Sequence, residues 1–197
     1  NLNWKEHCFN LIAKLNSVSY MFRRLKMVLT SHQLISLYYA QVESRLRYGI
    51  LFWGMSTLSS DVFVVQKRIL RLIANIHFLD SCRDVFKKYK ILTLCSLFIV
   101  ESAVYVFMNK QKFSLNSEIH HYNTRNCNKF RLPFCKYNIS RKSPNCLAIK
   151  IYNHLPSEIT DSLTQGVFKS KLKKFLLERS LYGLDEFFAV DYTGTDK

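Results

Sequence analysis

The chain has 197 residues, 48% of them hydrophobic, and carries 29 Lys and Arg against 14 Asp and Glu, a net charge of +15. That length and apolar content suffice for one generous domain or two small ones with a real core, and only five glycines and three prolines argue against a turn-rich all-β chain and for helices. The charge points to a polyanionic partner, with nucleic acid or an acidic membrane surface leading and a merely soluble basic protein as the bland alternative.

The opening "NLNWKEHCFN" lacks the charged start, apolar run and cleavage site of a signal peptide. The expectation is a piece of a longer polypeptide, or a degenerate reading frame, in the nucleus or cytoplasm and not secreted. Six scattered cysteines in that setting predict reduced thiols. Trp4, Cys8, Leu11, Leu15, Val18, Phe22 and Leu25 recur three or four apart, which predicts one helix from Trp4 to Lys26. Arg23, Arg24 and Lys26 cluster at its end.

Thr30 and Gln33 form a capping box for a second helix, expected to run through "LISLYYAQVESRLRY" to a left-handed Gly54. Most aromatics of the terminal "YGILFWG" are expected in the core, with Gly49 tolerated for close packing. Ser60 and Asp61 then open a third helix. Val62, Val65, Ile69, Leu72, Ile73 and Ile76 should face inward, with Lys67, Arg68 and Arg71 outward. Ser81 and Asp84 start a short helix ending near Tyr89, and Thr93 caps "LCSLFIVESAVYVFMNK". Glu101 near the middle of that segment predicts a buried core helix rather than a membrane span.

From Gln111 the texture changes. Lys110 to Lys150 holds nine basic residues and one acid, Glu118, with no strong periodicity. A segment of that kind is mobile or functional. A short helix stopped by Pro156 follows, then an amphipathic helix with Phe168, Leu172, Phe175 and Leu176 on one side and Lys169, Lys173 and Lys174 towards solvent. "VDYTGTDK" reads as a frayed tail.

Catalytic patterns are missing. Five dispersed glycines build no phosphate loop. No Asp-Asp pair occurs, and Asp185-Glu186 is the one adjacent acidic pair, so a two-metal carboxylate cluster has no candidate. His120, His121, Cys127, Cys135 and Cys146 raise zinc, but no close Cys pair supports it. The expectation is no metal, no cofactor and no catalytic residue. The positive signal is basic residues among aromatics, which suits phosphate contacts that weaken with salt.

Seven stretches occur in order: "LNWKEH" at 2–7, "SRLRYGILFWG" at 44–54, "VVQKRILRLI" at 64–73, "ILTLCSLFI" at 91–99, "HHYNTRN" at 120–126, "KSPNCLAIKIYNHLPSEI" at 142–159 and "FKSKLKKFLL" at 168–177. Together they resemble the region after the polymerase palm in reverse transcriptases of non-LTR retrotransposons of the jockey-like kind, over roughly residues 2–188. The resemblance implies a thumb and a basic extension beside the palm of a parent RNA-directed DNA polymerase. The catalytic aspartates of such a polymerase lie upstream, so this chain is expected to be non-catalytic. Arg125 in the "YNTR" element is the implied phosphate contact there, while Tyr48, Gly49, Trp53 and Gly54 are expected to pack.

The combined expectation is a mainly α protein: a thumb-like helical bundle over 1–110, a basic irregular extension with two helices over 111–188, and a disordered tail over 189–197. Candidate nucleic-acid contacts are Arg23, Arg24, Lys26, Lys67, Arg68, Arg71, Arg125, Lys129, Arg131, Arg141 and Lys142. They would meet an RNA–DNA hybrid, or an RNA or DNA backbone, and no membrane. The alternatives are a helical module whose basic faces bind an acidic protein, and an inactive mobile-element remnant.

Overall fold

In the computed structural model, residues 4–118, 126–134, 136 and 143–190 are described. They are mainly α-helical, and no strand occurs among them. The chain divides into two compact units, one of residues 1–98 and 175–182, the other of 99–174 and 183–197.

In the first unit, α1 spans Lys5–Leu25 and buries Cys8, Leu11, Leu15, Val18 and Phe22, the stripe read from spacing. The capping box is present: Thr30 Oγ1 accepts the Gln33 N–H at 3.4 Å while Gln33 Oε1 accepts the Thr30 N–H at 2.9 Å. It opens α2, Ser31–Tyr38. The inward residues Leu34, Tyr38, Val42, Leu46 and Ile50 are spaced by four throughout. A plain helix of 3.6 residues per turn would rotate that series off one face. A π turn over Tyr39–Glu43 widens the helix and restores the phase before α3, Ser44–Arg47. Glu43 is drawn to 6% exposure there, where Arg47 meets it at 2.9 Å.

The second helix does not run on to Gly54. Tyr48 turns extended, and Gly49 takes the left-handed conformation at φ +62° before α4, Ile50–Trp53. Gly54 stays right-handed at φ −59°. Of the "YGILFWG" aromatics only Trp53 is core. Tyr48 and Phe52 are 75% and 57% exposed, because the break at Gly49 turns them outward. Trp53 Nε1 donates to the Tyr48 carbonyl at 2.8 Å and so staples the break shut.

The close backbone approach is at Gly54. A Cβ there would lie 2.6 Å from both the Ile50 carbonyl oxygen and Phe98 Cδ2. Neither a backbone oxygen nor a buried ring can yield cheaply, so Gly54→Ala is expected to destabilise by about 1–3 kcal/mol. Urea unfolding of that variant checks it, and an unchanged midpoint would refute the packing role.

Helix α5, Ser59–Ala74, starts with Leu58 at the N-cap, not with a capping Ser60. Its inward face is Val62, Val65, Gln66, Ile69, Leu70 and Ile73, while Leu72 and Ile76 are only half-buried. Asn75 ends it in the left-handed conformation at φ 52°, which asparagine tolerates. Helix α6 is Arg83–Lys88, with Cys82 rather than Ser81 at its N-cap. Thr93 caps α7, Leu94–Met108, as its spacing predicts: Thr93 Oγ1 accepts the Ser96 N–H at 3.1 Å.

A buried amide ties these elements together. Gln66 is fully buried, and its Nε2 donates to Tyr38 Oη at 2.8 Å and to the Leu92 carbonyl at 2.9 Å. Its Oε1 accepts the Leu94 N–H at 2.9 Å.

The second unit takes up the rest of α7. Its described basic segment holds two 3₁₀ turns and an isolated antiparallel bridge between Leu115 and Phe130. Asn153 clamps the bridge by pairing with both the N–H and carbonyl of Phe130, at 3.0 and 2.7 Å. Helix α8, Pro144–His154, is capped by Ser143, and Leu155-Pro156 ends it. Then come α9, Ser157–Thr160, α10, Gln165–Leu177, and a short α11, Leu184–Phe188, absent from the predicted elements.

Phe168 and Leu172 are buried on α10. The core is a run of ring contacts: Phe113 on Phe130 at 5.9 Å, Phe130 on Tyr152 at 5.5 Å, Tyr152 on Phe168 at 5.9 Å and Phe168 on Phe107 at 4.5 Å. Burial pushes the Tyr152 hydroxyl up to about 12, with Asp161 adding to it, and burial raises that of Tyr38 beyond the ordinary phenol range.

An unfolded tyrosine ionises near about 10. Stability from holding these phenols neutral is therefore complete below pH ~10 and lost as pH rises above it. The melting temperature is expected to fall between pH ~10 and ~12, and less steeply when Tyr38 and Tyr152 are both Phe. Equal slopes would refute this.

Candidate nucleic-acid interface

From His7 to the end of α1, and from Val62 to the end of α5, neither helix contains a carboxylate. These two helices pack on one another. Two polar contacts cross between them: Arg68 Nη1 donates to Asn16 Oδ1 at 3.1 Å, and Lys26 Nζ donates to Asn75 Oδ1 at 3.4 Å. Residue numbers rise together along both helices, so α1 and α5 run in the same direction and end side by side. Seven residues are close to two turns, so Arg23 lies on the same face of α1 as Asn16. Arg23, Lys26 and Arg68 thus share one rim to which neither helix stretch contributes an acid. Arg23 and Arg68 are exposed, and Lys26 is half-buried.

The remaining predicted residues of this unit are placed differently. Arg24 is exposed but donates to its neighbour Tyr20 Oη at 3.1 Å. Arg71 is half-buried and donates to the Asp80 carbonyl at 2.9 and 3.2 Å, holding the loop after α5. Lys67 is half-buried, and its Nζ lies 4.7 Å from the Phe63 ring centre and 5.4 Å from that of Tyr182. Arg83 covers Tyr182 at 4.2 Å. Lys67 and Arg71, expected outward, are half-buried, and each contacts groups of its own unit. A 3.6-residue wheel shows direction, not what another segment lays against it.

In the second unit Lys129 and Arg131 flank the buried Phe130, so the bridge turns both side chains away from the core. Lys129 joins Lys110 and Lys112 in lining a cleft of about 770 Å³, which Asp161 and Glu118 also line. Sequence spacing gives no sign that these three lysines meet; the tertiary structure of this unit brings them to one cleft. Arg125, Arg141 and Lys142 lie outside the described residues, as do His120, His121, Cys135 and residues 191–197 of the tail. Among the described residues no group of His, Cys, Asp and Glu could hold a metal ion, and no helix is long and apolar enough to cross a membrane.

Fold and surface define a mainly α-helical protein with a basic rim on one helix pair. No family model, no curated protein and no solved structure matches the chain.

Proposed function

We propose that the chain grips the nucleic-acid backbone through the α1–α5 rim, as a non-catalytic post-palm region of a retrotransposon RNA-directed DNA polymerase. The observation that carries the binding reading is the rim itself: Arg23, Lys26 and Arg68 along two helix stretches with no carboxylate to neutralise them. Phosphate contacts need charge without base recognition, and the rim offers that. The polymerase reading is supported by the seven ordered stretches that resemble the family, and its partners would be an RNA–DNA hybrid and the parent palm.

Binding of an RNA–DNA hybrid should fall with salt at a log–log slope of about −3, one phosphate for each rim cation. Preference for the hybrid over single strands and heparin supports the polymerase reading. No binding at low salt would refute the nucleic-acid reading.

A second reading is a module that binds an acidic protein. It is favoured by Met27 and Val28 after α1 and Phe78 and Leu79 after α5, which are 69–82% exposed beside the rim's end. Competition by an acidic polypeptide at least as strong as by the hybrid would select it.

A further inference from the structure

A second group of cations lies elsewhere in the first unit. An open surface groove of about 400 Å³ is bordered on one side by α1, with His7, Asn10 and Lys14, and on the other by α3 and its exit, with Ser44, Arg45 and Tyr48. That volume is within the range of small-ligand sites. No carboxylate lines it. His7 and Lys14 are seven residues apart, so they face the same way two turns apart along α1.

Each wall residue has a defined state. Arg45 is half-buried, and its Nη1 is anchored on the Gln41 carbonyl at 3.1 Å, which orients the guanidinium and leaves its other N–H groups to a ligand. Lys14 is exposed, and its ammonium has no partner among the described residues. His7 Nε2 is buried and makes no hydrogen bond among the described residues. The Tyr48 ring is 75% exposed and sits 6.3 Å from the His7 ring. The break at Gly49 is what presents it, and the Trp53 bond to its carbonyl holds it there.

We propose that this groove binds a nucleotide, with its phosphate between Lys14 and Arg45 and its base laid on Tyr48. A guanidinium and an ammonium without a carboxylate suit an anionic group such as a phosphate. An exposed tyrosine beside them supplies a stacking face that every base can use. A phosphoprotein would need no such face, and the site does not depend on the rim.

Uridine monophosphate, inorganic phosphate and uridine are titrated into the full chain by calorimetry. The monophosphate is expected to bind at least about tenfold tighter than either part alone. Lys14→Ala and Arg45→Ala should each weaken it about tenfold and leave uridine unchanged. Tyr48→Ala should bring it down to the level of inorganic phosphate. Lys14 and Tyr48 are exposed, so these two variants keep the fold if Arg45→Ala does not.

A monophosphate no tighter than phosphate, or indifferent to Tyr48, overturns the proposal. So does a phosphoserine peptide that binds as tightly with Tyr48 replaced. Replacing Arg23 and Arg68 should leave the monophosphate affinity unchanged. In the unsubstituted chain, monophosphate binding without hybrid binding sinks only the rim, and hybrid binding without monophosphate binding sinks only this groove.

Discussion

Gln66→Leu is expected to lower the stability of the first unit by about 3–5 kcal/mol, a large effect for a substitution that adds apolar volume. The side chain is fully buried and makes three hydrogen bonds, to Tyr38 Oη, the Leu92 carbonyl and the Leu94 N–H. Leucine fills similar space but strands those groups without partners. Each buried orphan costs about 1–3 kcal/mol, with partial relaxation reducing the sum.

The bonds also join three elements that are distant in sequence: α2, α5 and the start of α7. Tyr38→Phe removes one partner while leaving the amide its two backbone bonds, so it should cost only about 1 kcal/mol. Urea unfolding followed by circular dichroism measures both. A leucine variant within about 1 kcal/mol of the parent would mean that the stranded groups find other partners, and the hub would not be what positions α7.

Reversing the rim is the second large expected effect. Arg23→Glu with Arg68→Glu should weaken hybrid binding by about 50-fold or more at low salt and flatten the salt slope by about 2. Arg23 makes no side-chain hydrogen bond or ion pair among the described residues, and Arg68 has one exposed bond to Asn16. The double variant should therefore unfold within about 1 kcal/mol of the parent. Lys67→Ala is the contrast. Its ammonium sits over Phe63 and Tyr182, so it should affect stability more than binding. If Lys67→Ala weakened binding as much as the rim reversal, the rim would not be the interface.

These two effects differ in how visible they were beforehand. Arg23, Lys26 and Arg68 were legible as basic residues next to apolar stripes, because a helix wheel separates wet from dry. That Lys67 would lie over two rings was not legible, since Tyr182 comes more than a hundred positions later. Gln66 gave no signal at all: a glutamine between Val65 and Lys67 reads as surface until the Leu92 and Leu94 backbone is placed beside it.

The groove at His7, Lys14, Arg45 and Tyr48 was hidden in the same way, since α1 and α3 each show only half of it. Its one local sign is "YGILFWG", in which spacing alone points to the second glycine as the helix end. Gly49 bears the left-handed turn instead, because Trp53 has to come inward and its indole N–H needs the Tyr48 carbonyl.

Sequence alone determined the helical class, the α1 stripe, the Thr30–Gln33 box, the Thr93 cap and the excess of positive charge. Each of these is set by neighbours within about one or two turns, where periodicity and capping act. Tertiary structure alone decided which cations are free and which are spent on rings and carbonyls, where the π turn re-phases α2, and that Gly54 must lack a side chain. Those outcomes depend on contacts between residues tens of positions apart, and a local pattern carries no information about which distant surface will arrive.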